Sequence, residues 1–130
     1  MSGMGLVGIG VDLVDVARLR RALEARAHLA ERLFTPGERD DASRFVDPWP
    51  HLAARFAAKE AGMKALGVGL GAFGFWELEV VRAPSGSPQV VVSGRAARLA
   101  AAQGVTAWRC SLTHTDRFAE AVVAGLGGLP

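Results

Sequence analysis

The apolar pattern along the chain changes period several times, and each change marks an element. Leu6–Val14, LVGIGVDLV, is short, apolar and β-branched with one charge, Asp12, and reads as a buried strand. Gly8 and Gly10 let another backbone or a ligand come close to it. Asp15 suits a helix N-cap, and Val16, Leu19 and Leu23 form a helical stripe behind it. Thr35-Pro36-Gly37-Glu38 has the pattern of a capping box with proline at the first helical position, so a helix should start there and run towards Phe45. Asp47-Pro48-Trp49-Pro50 breaks the chain. A longer helix follows from about His51 to Leu66, on which Leu52, Phe56, Met63 and Leu66 form one apolar stripe. Its centre, RFAAKEAGMKALG, Arg55 to Gly67, is built from good helix formers and closes on a glycine.

Val68–Phe75 is a glycine-rich loop that follows a helix, so it is not a dinucleotide fingerprint. It can wrap a ligand or be a plain mobile loop. Trp76–Val81 alternates as a strand, Pro84–Pro88 turns, and Gln89–Val92 returns, which predicts a hairpin. Ser93 can cap a short helix, Gly94–Gln103, ended by Gly104. Val105–Leu112 reads as a strand, Thr113-His114-Thr115-Asp116 interrupts it, and Phe118–Ala124 can pair back. A hairpin without a βαβ rhythm predicts an α+β fold, a mainly antiparallel sheet packed on a long central helix. The 130 residues suggest a single domain, 1–130.

Composition narrows the classes. Half of the residues are hydrophobic, enough for a core, and a chain of this size gains from oligomerisation. The net charge is only +2, and no basic and aromatic stacking surface is recognisable, so nucleic-acid binding is not indicated. Cys110 is the only cysteine; no internal disulfide exists, a reducing cytoplasm fits, and its apolar surroundings place it in the core. No apolar run reaches about 18 residues, so no membrane span is expected, and no signal-type segment opens the chain.

Candidate chemistry gathers on few side chains. Of fifteen basic residues only Lys59 and Lys64 are lysine, and both fall on the long helix. Ammonium can give up a proton where guanidinium effectively cannot, so this choice hints at chemistry. Glu60 and Lys64 also fit an ordinary i, i+4 pair. Asp12 inside a strand needs a partner, a metal or a capping role. Asp12 and Glu60 are the best hard-cation ligands on offer; they permit a Mg²⁺ site with a phosphate, which Lys64 could face. Arg55 could reach a phosphate or be solvated. Arg18, Arg20, Arg21 and Arg26 form a solvated face or a docking face for an acidic partner. His114 is the notable histidine, set among hydroxyls at a strand end, while His51 near a helix start is expected to be exposed. Glu31, Glu38, Asp40 and Asp41 are surface candidates.

GIGVDLVDVARL near the start, RFAAKEAGMKALG, the hairpin ending GSPQV and the late SLTHT, in this order, resemble the holo-[acyl-carrier-protein] synthases, the short single-domain type of 4′-phosphopantetheinyl transferase. The resemblance spans nearly the whole chain. It implies the transferase fold as a homotrimer with sites between subunits. It also implies transfer of 4′-phosphopantetheine from coenzyme A to a serine of an apo acyl carrier protein, with adenosine 3′,5′-bisphosphate as second product. By the same resemblance Asp12 and Glu60 match magnesium ligands and, with Lys64, the catalytic group. Arg55, Lys64, Ser111, Thr113 and His114 match coenzyme contacts, and Arg18 and Arg21 would meet the carrier. Fatty-acid synthesis is the expected setting. A polyketide or nonribosomal-peptide carrier and a catalytically idle coenzyme A or carrier-binding module are the alternatives. Gly62 and Thr113 depart from the usual pattern, which has a larger residue and a serine there.

Overall fold

A computed structural model describes residues 3–128. The fold is α+β with antiparallel sheets. In chain order it comprises β1 (Met4–Asp15), α1 (Val16–Ala25), α2 (Leu29–Leu33), α3 (Pro36–Ser43), α4 (Trp49–Ala65), a 3₁₀ turn (Phe75–Glu77), β2 (Leu78–Arg82), β3 (Pro88–Val92), α5 (Gly94–Ala102), β4 (Ala107–His114) and β5 (Phe118–Gly128). The strands form two sheets, not the single one expected: β1-β5-β4, and the hairpin β2-β3. Strand β4 continues through Thr113 and His114, where an interruption was expected, because both residues still pair with β5. Helix α2 and the 3₁₀ turn have too few residues to leave a periodic pattern.

Helix α4 lies across one face of the three-stranded sheet. The approach is backbone to backbone. A Cβ at Gly8 or Gly10 would stand 1.9 Å from the carbonyl oxygen of Ala65 or Ala61. The glycines of β1 therefore admit a helix, and the facing alanines 53, 57, 58 and 61 are fully buried. Gly62, one of the two departures in the sequence, has the same kind of reason: a Cβ there would lie 2.2 Å from Leu78 Cδ1. The expected stripe on α4 divides between two cores. Leu52 and Phe56 border the core of α1, α4 and the sheet, whereas Met63 and Leu66 join Phe73, Leu78 and Ala96 in a second one.

The expectation that β1 is buried is corrected. Met4, Leu6, Ile9, Val11 and Leu13 are exposed, since β1 is an edge strand with one face on α4 and the other open. A bulge between Leu6 and Gly8 shifts the register by one residue, which keeps Leu6 and Ile9 on the same open face.

Local signals hold where a cap decides them. The Asp15 carboxylate accepts from Arg18 N–H, Thr35 and Glu38 form the reciprocal box, and Gly67 takes φ +67° after α4. Ser93 makes no side-chain cap; the Glu77 carboxylate accepts instead from the backbone N–H groups of Arg95 and Ala96, and also from Gly74.

Glu38 and Asp41, expected on the surface, are drawn inward. Glu38 is 1% exposed and Lys59 0%. Lys59 Nζ donates to Glu38 Oε1 at 2.8 Å, to the Phe75 carbonyl at 2.8 Å and to the Leu78 carbonyl at 2.7 Å. Glu38 Oε2 accepts from Val80 N–H at 2.9 Å and Oε1 from Thr35 N–H at 3.0 Å. Burial pushes the Lys59 ammonium below its ordinary pKa, and Glu38 opposes the shift. Lys59→Met leaves the Glu38 charge uncompensated and should cost about 3–5 kcal/mol. Urea unfolding at fixed protein concentration measures it, and Glu38→Gln added to Lys59→Met should restore part of the loss.

Candidate active site

Asp12 is carried on the inner face of β1, directly before the turn into α1. Because Gly10 brings that strand onto the helix, Asp12 meets the middle of α4. Lys64 Nζ donates to Asp12 Oδ1 at 3.0 Å and to the Val11 carbonyl at 3.0 Å. Lys64 thus reaches across to the strand, and among the described residues it makes no ion pair with Glu60. Asp12 is largely shielded, while over half of the Lys64 side chain is open to solvent. The Glu60 carboxyl lies within hydrogen-bonding reach of Asp12. Partial burial, then the Asp12 contact and charge, push Glu60 up to about 7, and Lys64 pulls against that. Two carboxyls share a site, and one holds a proton near neutral pH. A cleft of about 610 Å³ opens beside them, lined by Asp12, Glu60, Arg18, Leu19, Phe56 and Phe118.

A second cleft of about 280 Å³ lies elsewhere, lined by His51, Arg55, Arg82, Cys110, Ser111 and His114 among others. Arg55 is buried here rather than solvated. It pairs with Asp41, and its Nη1 donates to the His51 carbonyl at 3.1 Å. Arg55 Nε is the one buried side-chain nitrogen or oxygen without a partner among the described residues. Asp41 also accepts from Arg82 Nε at 3.0 Å and Nη2 at 3.2 Å. Burial raises the Asp41 carboxyl, but the Arg82 hydrogen bonds and the charges of Arg55, Arg82 and Arg44 outweigh it and hold Asp41 below the usual range. His51 is half-buried rather than exposed, because its ring stacks on Phe45 with centroids 3.5 Å apart. Cys110 is half-buried on the inner face of β4, and burial pushes its thiol up, which suits packing rather than nucleophilic work.

The predicted residues therefore separate into two groups. Asp12, Glu60 and Arg18 line the larger cleft, with Lys64 bonded to Asp12 beside it; Arg55, Ser111 and His114 line the smaller one. Thr113 is exposed on β4 and lines neither, and Arg21 is exposed on α1 one turn beyond Arg18. Phe45, Asp41 and Arg82 escaped sequence reasoning. Asp41 and Arg82 are 41 positions apart, and only the fold joins them.

The chain is similar to known proteins over nearly its whole length. Residues 8–123 match the 4′-phosphopantetheinyl transferase superfamily. A holo-[acyl-carrier-protein] synthase of Clavibacter sepedonicus is 48% identical over 92% of this chain and 95% of its own. The solved acyl carrier protein synthase of Mycobacterium tuberculosis is 35% identical, covers 96% of this chain and 100% of its own, and superposes with a TM-score of 0.73. The Bacillus anthracis synthase, solved in complex with coenzyme A (3′,5′-ADP), is 30% identical, covers 96% of this chain and 99% of its own, and has a TM-score of 0.77. The chain thus belongs to the 4′-phosphopantetheinyl transferase superfamily. Within that superfamily the chain belongs to the holo-[acyl-carrier-protein] synthases, and it is an enzyme.

The raised Glu60 carboxyl makes stability depend on pH. A folded-state carboxyl raised above its ordinary value binds protons more tightly than the unfolded chain does. Glu60 therefore costs metal-free stability as pH rises from its ordinary range to about 7. Carboxyl NMR of metal-free protein should show a midpoint near 7 for Glu60, and Asp12→Asn should move that midpoint down towards the ordinary value.

Proposed function

We propose that the chain, acting over residues 1–130 as one transferase domain in the cytoplasm, moves the 4′-phosphopantetheine arm of coenzyme A onto a serine hydroxyl of an apo acyl carrier protein. Adenosine 3′,5′-bisphosphate is the other product, and the carrier is that of fatty-acid synthesis. The observation that carries the reading is the meeting of Asp12, Glu60 and Lys64 beside one cleft in a chain of the synthase family.

The residues fit magnesium. Two carboxyls face each other and one is protonated near neutrality, an arrangement that a hard cation relieves. No set of three His, Cys, Asp or Glu side chains converges among the described residues, and magnesium needs only one or two carboxylates beside waters and phosphate oxygens. Asp12 and Glu60 would hold the ion, which would supply positive charge against the pyrophosphate oxygens. Glu60 accepts the serine proton directly or through water. The serine oxygen bonds to the phosphorus that carries pantetheine, and the bond from that phosphorus to the adenosine 5′-phosphate breaks. Lys64 Nζ, held by Asp12, can hand its proton to the departing phosphate oxygen. Arg18 and Arg21 line one side of α1 and suit an acidic carrier.

The site is proposed to be shared between the copies of a homotrimer. Two features support this. The coenzyme-contact candidates Arg55, Ser111 and His114 sit at the other cleft from Asp12 and Glu60. The open sheet face also carries Leu6, Ile9, Val11 and Leu13, an apolar surface that a second copy would cover.

Intact mass of an apo acyl carrier protein incubated with the protein, coenzyme A and Mg²⁺ tests the reaction. The carrier should gain one phosphopantetheine, and EDTA should prevent it. Glu60→Gln should lose about 100-fold or more in rate with its fold retained. A Glu60→Gln variant of full activity would sink the assignment. No gain on fatty-acid, polyketide or peptide-type carriers would leave the idle binding module. Val11→Glu should turn a trimer into monomers in analytical ultracentrifugation and abolish transfer, although Asp12, Glu60 and Lys64 remain. A monomeric Val11→Glu that still transfers at the wild-type rate would overturn the shared site.

A further inference from the structure

Around the coenzyme-contact candidates of the smaller cleft stand Phe45, His51 and Arg82, to which the reaction above gives no role. Arg82 lies over one face of Phe45 at 5.5 Å. The His51 ring stacks on Phe45 at 12° between planes, and His51 meets His114 edge-on at 4.7 Å between centroids. The row runs from β2, across the residue beyond α3, through the first turn of α4, to the end of β4. Beneath it Arg55 is anchored on the His51 carbonyl, with its buried Nε unpartnered. His51 thus touches two of the three coenzyme-contact candidates of this cleft, Arg55 through its carbonyl and His114 through its ring.

The charges around His51 are unbalanced. Arg55 from α4 and Arg82 from β2 face it, His114 faces it from β4, and only Asp41 from α3 offers a negative charge. That one carboxylate already pairs with Arg44, Arg55 and Arg82. Burial, then the charges of His114, Arg55 and Arg82, lower the pKa of His51 and so favour the neutral ring when no ligand is bound. A phosphate entering the cleft changes the balance. It gives Arg55 Nε an acceptor and supplies the countercharge that a protonated His51 lacks.

We propose that His51, clamped between Phe45 and His114, is a positioning residue of the coenzyme site that takes up a proton when a phosphate-bearing nucleotide enters the smaller cleft. The proposal rests on the transferase reading and adds a specificity determinant to it. The cleft prefers a nucleotide with a second phosphate, and binding tightens as pH falls through the histidine range.

Isothermal titration of the full chain with adenosine 3′,5′-bisphosphate, at pH 6 and pH 8 and in two buffers of different ionisation enthalpy, reads both quantities. Adenosine 5′-monophosphate is the comparison. The wild type should bind the bisphosphate at least about threefold tighter at pH 6 than at pH 8 and take up protons on binding. His51→Phe keeps an aromatic ring on Phe45 but cannot titrate. It should lose most of the proton uptake and narrow the preference for the bisphosphate, while His51→Gln, a second non-titrating side chain, should lose the uptake in the same way. Proton uptake and preference unchanged in both variants would overturn the role of His51. Binding of neither nucleotide by the wild type would overturn the proposal as well. Transfer to the apo carrier, followed by mass in the same preparations, separates the two failures. A wild type that transfers nothing breaks the underlying reading, whereas transfer with unchanged linkage in the variants breaks only this proposal.

Discussion

A single ammonium group, Lys59 Nζ, ties together elements that are distant in sequence. It sits on the inward side of α4 with no solvent contact, and three acceptors surround it: Glu38 from α3, the Phe75 carbonyl in the 3₁₀ turn and the Leu78 carbonyl at the start of β2. Glu38 reaches the same strand from the other side through Val80 N–H. A buried charge of this kind is costly unless every proton is taken up, and here all three are. The hairpin and α3 therefore cannot shift relative to α4 without stranding a charge. The smaller cleft takes part of its wall from that constraint: Arg82 extends from the anchored hairpin and Arg55 from α4 itself, and Asp41 of the anchored α3 pairs with both.

On the opposite side of α4 the determinant is the absence of side chains. Gly8 and Gly10 bring β1 into contact with helix backbone, and the alanines of α4 leave the space. Close approach places Asp12 level with Glu60 and Lys64. The repulsion between the two carboxyls is retained, relieved partly by a proton and partly by Lys64. A well-packed apolar pair at these positions would serve stability better.

What is legible in the chain follows range. The Asp15 cap, the Thr35–Glu38 box and the left-handed Gly67 are decided within a few residues, and each can be read from its own short stretch of sequence. Long-range polar contacts cannot. Glu38 looks like a surface acid until Lys59 arrives from 21 positions away. Asp41 needs Arg82 from 41 positions away, and Glu77 caps α5 from 18 positions before Arg95. The openness of β1 is hidden for another reason. An apolar run looks the same whether its second face meets the chain's own core or remains free for a copy. The association of Asp12, Glu60 and Lys64 comes from motif order, since no periodicity links residue 12 to residue 60. The two clefts themselves have no counterpart in the linear pattern.

The contrast between the two lysines also reaches into protein chemistry. Lys59 is sealed, with all its protons engaged, while over half of the Lys64 side chain faces solvent. Since the chain has no other lysine, an amine-reactive reagent meets one side-chain amine on the folded protein, and that amine is the one beside Asp12. A tag attached to that side chain, as distinct from the terminal amine, would consequently report on the candidate site.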